Sequence, residues 1–122
     1  MLRIAVIAGV LAVTASIASA QETSTVQVVI AKGVVIHDTM GGLPVDIQVT
    51  YNPDGTSALH IVGPRGNGRD ISGTWRLDGD KVCSANQINP IESCVSIPPD
   101  KKPGDSFAVA TPRGEVTLTI NR

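Results

Sequence analysis

Short segments in which apolar and polar residues alternate run through most of the chain. In residues 115–120, the clearest case, a Val, a Leu and an Ile would share one face, and a Glu and two Thr the other. Residues 45–51 alternate in the same way. A period of two is typical of a strand with one buried face. The pattern therefore predicts β-strands at both places.

Turn sequences separate these segments from their neighbours. Asn52-Pro53-Asp54-Gly55 places a φ-restricted proline and a glycine before residues 56–62, which predicts a hairpin with 45–51. Asp78-Gly79-Asp80 predicts a second hairpin, between residues 71–77 and 81–84.

Further strands are expected on both sides of these hairpins. Phe107 and Val109 predict a short strand between a proline-rich turn and residues 115–120. Residues 26–32 and 34–37 are expected to supply one or two more, with Gly33 as a bulge or bend between them.

The composition of residues 21–122 supports this assignment. It holds 12 Val, 9 Ile and 9 Thr against 4 Leu and 5 Ala, and β-branched residues favour strands. We therefore predict an all-β domain without a helix: an antiparallel meander of about seven or eight strands, forming a small barrel or a strongly twisted sheet. A two-sheet sandwich is the alternative.

The first twenty residues follow a different pattern. A single Arg3 precedes the apolar run Ile4–Val13, and small residues lead to Ala20. This order is typical of a secretory signal peptide, and the apolar run is too short for a membrane span. We expect residues 1–20 to be a signal peptide, and residues 21–122 to be one β domain without a membrane span, periplasmic or secreted.

The charge of the chain limits its partners. Lys and Arg number 10 and Asp and Glu number 11, and loss of Arg3 with the signal leaves a slightly more negative domain. This balance argues against nucleic acid as a partner. An unknown protein or a small ligand remains.

Two cysteines, Cys83 and Cys94, lie in the exported part. Export delivers them to a compartment in which disulfides persist, so we predict one bridge. No second Cys pair or His pair stands at metal-ligand spacing, and no metal or cofactor is expected.

Candidate catalytic residues are few. Only His37 and His60 are present, and an exposed structural role is expected for each. The alternative is that they meet across the sheet and hold a metal with Asp38. Because a nucleophile, base and orienting group are not evident, no catalytic residue is assigned and an enzyme is not predicted.

A glycine-rich segment, residues 63–69, carries Arg65 and Arg69. Exposed backbone N–H groups and two guanidinium groups could bind an anion. The segment lacks the ending of a phosphate-binding P-loop, so an ordinary loop between strands is the alternative.

Residues 45–97 resemble small exported proteins of proteobacteria whose function is unknown. The shared pattern is Tyr-x-x-Asp-Gly-Thr at residues 51–56, Gly-x-Trp at 73–75, Gly-Asp-x-x-Cys at 79–83 and a second Cys at 94. The resemblance implies structural roles for the glycine, tryptophan and cysteines. A Gly-x-Trp also opens lipocalins, but here it lies mid-chain, which argues against lipocalin-type ligand transport.

These observations predict an exported, periplasmic small β protein that is a non-enzymatic binding or envelope-associated domain. The alternative is a periplasmic inhibitor of a secreted hydrolase, a protease or a lysozyme. Such inhibitors are similar small single-disulfide β-barrels with an extended N-terminal segment. Residues 21–25 would supply that segment here.

Overall fold

Eight antiparallel strands and one helix make up the computed structural model, which describes residues 24–63 and 68–122. The expected signal peptide at 1–20 and the candidate residue Arg65 lie outside these residues. The helix is α1 (Thr25–Lys32). The strands are β1 (Val34–Met40), β2 (Leu43–Tyr51), β3 (Thr56–Val62), β4 (Arg69–Asp78), β5 (Lys81–Asn86), β6 (Ser93–Ser96), β7 (Ser106–Thr111) and β8 (Gly114–Ile120).

The strands form one sheet in the order β6-β5-β4-β3-β2-β1-β8-β7. Each strand from β1 to β5 pairs with the next, and the β7–β8 hairpin pairs back onto β1. The two edge strands, β6 and β7, approach within 8 Å between Cα atoms without forming a ladder. The sheet is therefore a nearly closed barrel, which confirms the predicted all-β meander.

The prediction of a strand at residues 26–32 is wrong, because these residues form α1. Ser24 caps the helix, its Oγ accepting a hydrogen bond from the Gln27 backbone N–H at 3.3 Å. Gly33 ends it with φ +77°, and a Cβ there would lie 2.5 Å from the Val49 carbonyl oxygen. β2 and β8 already flank β1. The sheet therefore has no free position beside β1 for a further strand.

The helix covers one end of the barrel, here called the closed end. Val29 on α1, Val34 on β1 and Ile120 on β8 are fully buried there. The Thr25 hydroxyl accepts a hydrogen bond from the Lys101 backbone N–H at 3.0 Å, which joins α1 to the β6–β7 connection. These contacts fill the barrel interior at this end.

The opposite end, here called the open end, is where β1, β3, β5 and β7 finish. It carries the β1–β2 turn, the β5–β6 loop at residues 87–92 and the β7–β8 turn. No helix covers it among the described residues. Within those same residues, no helix has the length and apolar character needed to cross a membrane.

Candidate functional site

A cavity of about 420 Å³ occupies the open end of the barrel interior. Its walls are side chains that point inward from the strands. The aliphatic ones are Ile36, Ile47, Leu59, Val82, Val95, Val109, Val116 and Leu118. Eight-stranded barrels have interiors that are either filled by side chains or hold one small ligand. This barrel is filled at its closed end and unfilled at its open end.

An ion pair stands at the mouth of the cavity. Arg113, in the β7–β8 turn, donates from Nη2 to Asp38 Oδ2 at 2.7 Å, and the Thr39 backbone N–H donates to Asp38 Oδ1 at 2.7 Å. The Asp38 side chain is 16% exposed and the Arg113 side chain 55%. The carboxylate is therefore held inward while the guanidinium keeps one side toward solvent.

The β5–β6 loop forms another part of the rim. Asn86 Oδ1 accepts hydrogen bonds from the backbone N–H groups of Ile88 and Asn89, at 2.8 and 2.9 Å. Ile91 borders the cavity and is 84% exposed. A large aliphatic side chain is thus presented to solvent by a hydrogen-bonded loop.

The predicted disulfide is confirmed, and it fastens the base of this loop. Cys83 and Cys94 are directly opposite each other on β5 and β6 and are bonded, with Cα atoms 3.9 Å apart. The two residues form one cross-strand pair, and their spacing is shorter than the roughly 5.5 Å typical of disulfides.

A second link lies beside the disulfide. Arg76 donates to both carboxylate oxygens of Glu92, at 3.0 and 2.8 Å. The pair lowers the pKa of the Glu92 carboxyl below its ordinary value. In the described residues, Glu92 also forms a potential ligand cluster with Cys83 and Cys94. Since both sulfur atoms are in the disulfide, no thiolate is available there to bind a metal.

Tyr51 is the one aromatic residue that lines the cavity. Its ring meets the Trp75 ring edge-on, with centroids 5.7 Å apart, and Trp75 Nε1 donates to the Asn52 carbonyl oxygen at 2.8 Å. Burial raises the pKa of the Tyr51 hydroxyl to about 12. The hydroxyl is therefore neutral at physiological pH and can donate a hydrogen bond into the cavity.

His37 belongs to a hydrogen-bonded chain on the outer face of the barrel. Its Nδ1 donates to Asp46 Oδ1 at 2.8 Å, and its Nε2 lies 3.0 Å from Thr119 Oγ1, which lies 2.7 Å from Ser106 Oγ. The order of groups is that of a hydrolase triad. However, β8 lies between β1 and β7, so the backbone N–H groups beside Thr119 are directed at neighbouring strands. The described residues offer no oxyanion hole at this place.

His60 lies elsewhere on the outer face. Its Nδ1 donates to Asp70 Oδ1 at 2.6 Å, across the β3–β4 ladder. Each histidine is thus exposed and bound to its own aspartate, and Asp38 is engaged by Arg113. The alternative metal site of His37, His60 and Asp38 is not present in the structure.

The candidate anion-binding loop is described only in part. Arg69 begins β4 and is exposed, and it does not line the cavity. Arg65 lies outside the described residues. The loop therefore stays a prediction.

The cavity and the Asp38–Arg113 pair at its mouth were not predicted from the sequence. One signal was available. Asp38 on β1, Ser84 and Asn86 on β5 and Ser93 on β6 all occupy inward positions of their strands. Polar residues at alternating positions that should be apolar indicate an interior that is not fully packed.

No family model, curated protein or solved structure matches this chain. The resemblance of residues 45–97 to small exported proteins therefore stays a prediction.

Proposed function

We propose that this protein is an exported, non-enzymatic binding domain that holds a small, largely apolar molecule in the open end of its barrel. The observation that carries the proposal is the cavity of about 420 Å³ with aliphatic walls. Its size falls in the range of small-molecule sites, roughly 300 to 1,000 Å³.

Stability alone does not account for this cavity. Space next to aliphatic side chains forfeits their dispersion contacts, and filling such space is a common way to stabilise a protein. A ligand that covers these walls gains roughly 25 cal/mol for each Å² of apolar surface removed from water. The unfilled end is therefore better explained by an occupant than by the needs of folding.

Two features support export. The sequence pattern of residues 1–20 is typical of a signal peptide, and the Cys83–Cys94 bridge is of the kind that persists in oxidising compartments. The ligand would then be encountered in the periplasm or outside the cell.

Titration with the uncharged fluorescent probe N-phenyl-1-naphthylamine tests the proposal. We expect saturable binding with one site for each protein molecule. Val116→Phe adds a ring inside the cavity and should abolish binding, whereas Val62→Phe, the same change at an exposed position on β3, should leave it intact. Absence of saturable binding, or equal binding by the two variants, would overturn the proposal.

The non-enzymatic part of the proposal has its own test. The Asp46–His37–Thr119 chain is the arrangement that could hydrolyse an activated ester. The purified protein should show no turnover of p-nitrophenyl acetate above that of the His37→Ala variant. Reproducible turnover that this variant loses would favour an enzyme.

Inhibition of a secreted hydrolase is a second candidate, supported by the β5–β6 loop. Ile91 is 84% exposed on a loop whose base is fixed by the disulfide and the Arg76–Glu92 pair. A fixed, projecting apolar side chain is suited to the binding cleft of a protease. The N-terminal segment supports the candidate less, because Ser24 and Thr25 belong to the cap and first turn of α1.

A panel of secreted proteases and lysozymes tests this candidate at stoichiometric protein concentration. Ile91→Asp should abolish any inhibition, and Val62→Asp, at another exposed aliphatic position, should preserve it. Deletion of residues 21–23 examines the N-terminal segment without removing the helix cap. If no hydrolase is slowed, the candidate fails.

A further inference from the structure

The polar groups of the cavity are concentrated on one side. Ser84 on β5 is paired across the ladder with Ser93 on β6, and both line the cavity. Trp75 on β4 is the partner of Ser84 in the next ladder, and the Trp75 ring meets Tyr51. This register places the hydroxyl groups of Tyr51, Ser84 and Ser93 along the same side of the interior.

These three hydroxyl groups have no hydrogen-bond partner in residues 24–63 and 68–122. The three residues are half-buried, and all of them line the cavity. The groups are therefore available to a molecule that enters the cavity. Apart from Tyr51 and the mouth, the cavity residues on β1, β2, β7 and β8 are aliphatic and offer no such group: Ile36, Ile47, Val109, Val116 and Leu118.

The ionisable groups around the cavity are already compensated. Asp38 is paired with Arg113, and Glu92 with Arg76. The Tyr51 hydroxyl is neutral at physiological pH, and burial raises its pKa further, to about 12. A charged ligand would bury its own charge without a partner or break an existing pair, and both are costly.

We propose that the ligand is an uncharged molecule with an apolar body and a hydroxyl or carbonyl edge, oriented so that this edge faces Tyr51, Ser84 and Ser93. This inference rests on the proposed function and specifies its ligand class. Tyr51 is the specificity-determining residue, because its O–H can donate to a carbonyl or accept from a hydroxyl, whereas the aliphatic walls bind any apolar surface.

Three probes that share one ring system test the inference: naphthalene, 2-naphthol and 2-naphthoate at neutral pH. They differ in being apolar, neutral with a hydroxyl, and anionic. We expect 2-naphthol to bind about fivefold more tightly than naphthalene, the effect of one net hydrogen bond. We expect 2-naphthoate to bind more weakly than 2-naphthol.

Two variants assign the effect to residues. Tyr51→Phe keeps the ring against Trp75. It should lower the affinity for 2-naphthol to that for naphthalene and leave the affinity for naphthalene unchanged. Ser84→Ala should reduce the affinity for 2-naphthol alone. Ser96→Ala, the same change on the outer face of β6, should change neither.

The outcomes separate this inference from the proposed function. If the three probes bind equally and Tyr51→Phe changes no affinity, the proposed hydroxyl or carbonyl edge of the ligand is wrong. The cavity remains a binding site in that case, provided that Val116→Phe blocks all three probes. If 2-naphthoate binds most tightly, the ligand class is wrong and Arg113 is the anchor. If no probe binds, the proposed function itself fails.

Discussion

The two ends of the barrel are built from the same eight strands and are packed differently. At the closed end, Val29 of α1 belongs to the same hydrophobic core cluster as Val34 and Ile120, and all three are fully buried. At the open end, the interior is a cavity of about 420 Å³. Alternation alone therefore does not fill a barrel. A plugging element and inward side chains of sufficient size are also needed.

The composition of the inward positions explains the difference. Toward the closed end they are mainly Val and Ile, whereas toward the open end they include Asp38, Ser84, Asn86 and Ser93. Polar side chains of this kind are poorly suited to a dry core without partners. The open end therefore keeps contact with solvent, or with a ligand.

Removal of the disulfide should have the largest effect, and it should fall mainly on the open end. The double variant Cys83→Ser and Cys94→Ser should lose about 3 kcal/mol of unfolding free energy, since the unfolded chain regains loop entropy. The thermal midpoint should fall by at least about 10 °C. Hydrogen exchange should show protection lost around the β5–β6 loop and retained in α1.

A reductant supplies the control for this prediction. Dithiothreitol should lower the midpoint of the wild-type protein toward that of the double variant and leave the variant unchanged. If thiol titration of the native protein finds two free thiols, the disulfide is absent and the prediction is wrong.

Two matched truncations compare the ends directly. Val34→Ala, at a fully buried position of the closed end, should lower the free energy of unfolding by about 2 kcal/mol, because transfer free energy is lost and a new cavity forms. Val116→Ala, beside the existing cavity, should cost less than about 1 kcal/mol because its side chain has fewer contacts to lose. Urea unfolding measures both. Equal costs would mean that the open end is packed as tightly as the closed end.

The helix cap should have a smaller effect, confined to the closed end. Ser24→Ala removes the acceptor for the Gln27 N–H. It should lower the free energy of unfolding by about 1 kcal/mol and reduce the helical circular dichroism signal. Ser96→Ala, on the outer face of β6, is the control and should be close to neutral. A Ser24→Ala variant as stable as this control would mean that the cap does not stabilise α1.

The Arg76–Glu92 pair at the rim should have the smallest effect, and one that depends on pH. Arg76 lowers the pKa of Glu92 in the folded protein. The stabilisation is therefore present above the ordinary carboxyl pKa and is lost as the pH falls through the lowered value. At pH 7, the thermal midpoint of the wild-type protein should be slightly higher than that of the Glu92→Gln variant. This difference should vanish in acid.

Glu115→Gln is the matched control, since the Glu115 carboxyl forms no ion pair with the described residues. The difference in thermal midpoint between Glu115→Gln and the wild-type protein should not show the pH dependence expected for Glu92→Gln. If the Glu92→Gln difference persists unchanged in acid, the ion pair is not its source.

Part of this architecture was predictable from local pattern. Alternation placed β2, β7 and β8, and the turns at residues 52–55 and 78–80 placed two hairpins, because both signals depend on neighbouring residues only. The Cys83–Cys94 bridge followed from there being two cysteines in an expected export product. The helix was missed because a segment rich in Val and Ile has a local preference for strand that tertiary context overrode.

The sequence by itself determined the all-β class, the meander and the disulfide, since each is specified by residue type and short spacing. Only the tertiary structure decided that residues 25–32 plug one end, that Asp38 meets Arg113 across 75 positions of the chain, and that Tyr51, Ser84 and Ser93 border one cavity. The physical reason is closure. Strand register brings distant inward positions together, and the space left among them depends on every side chain at once.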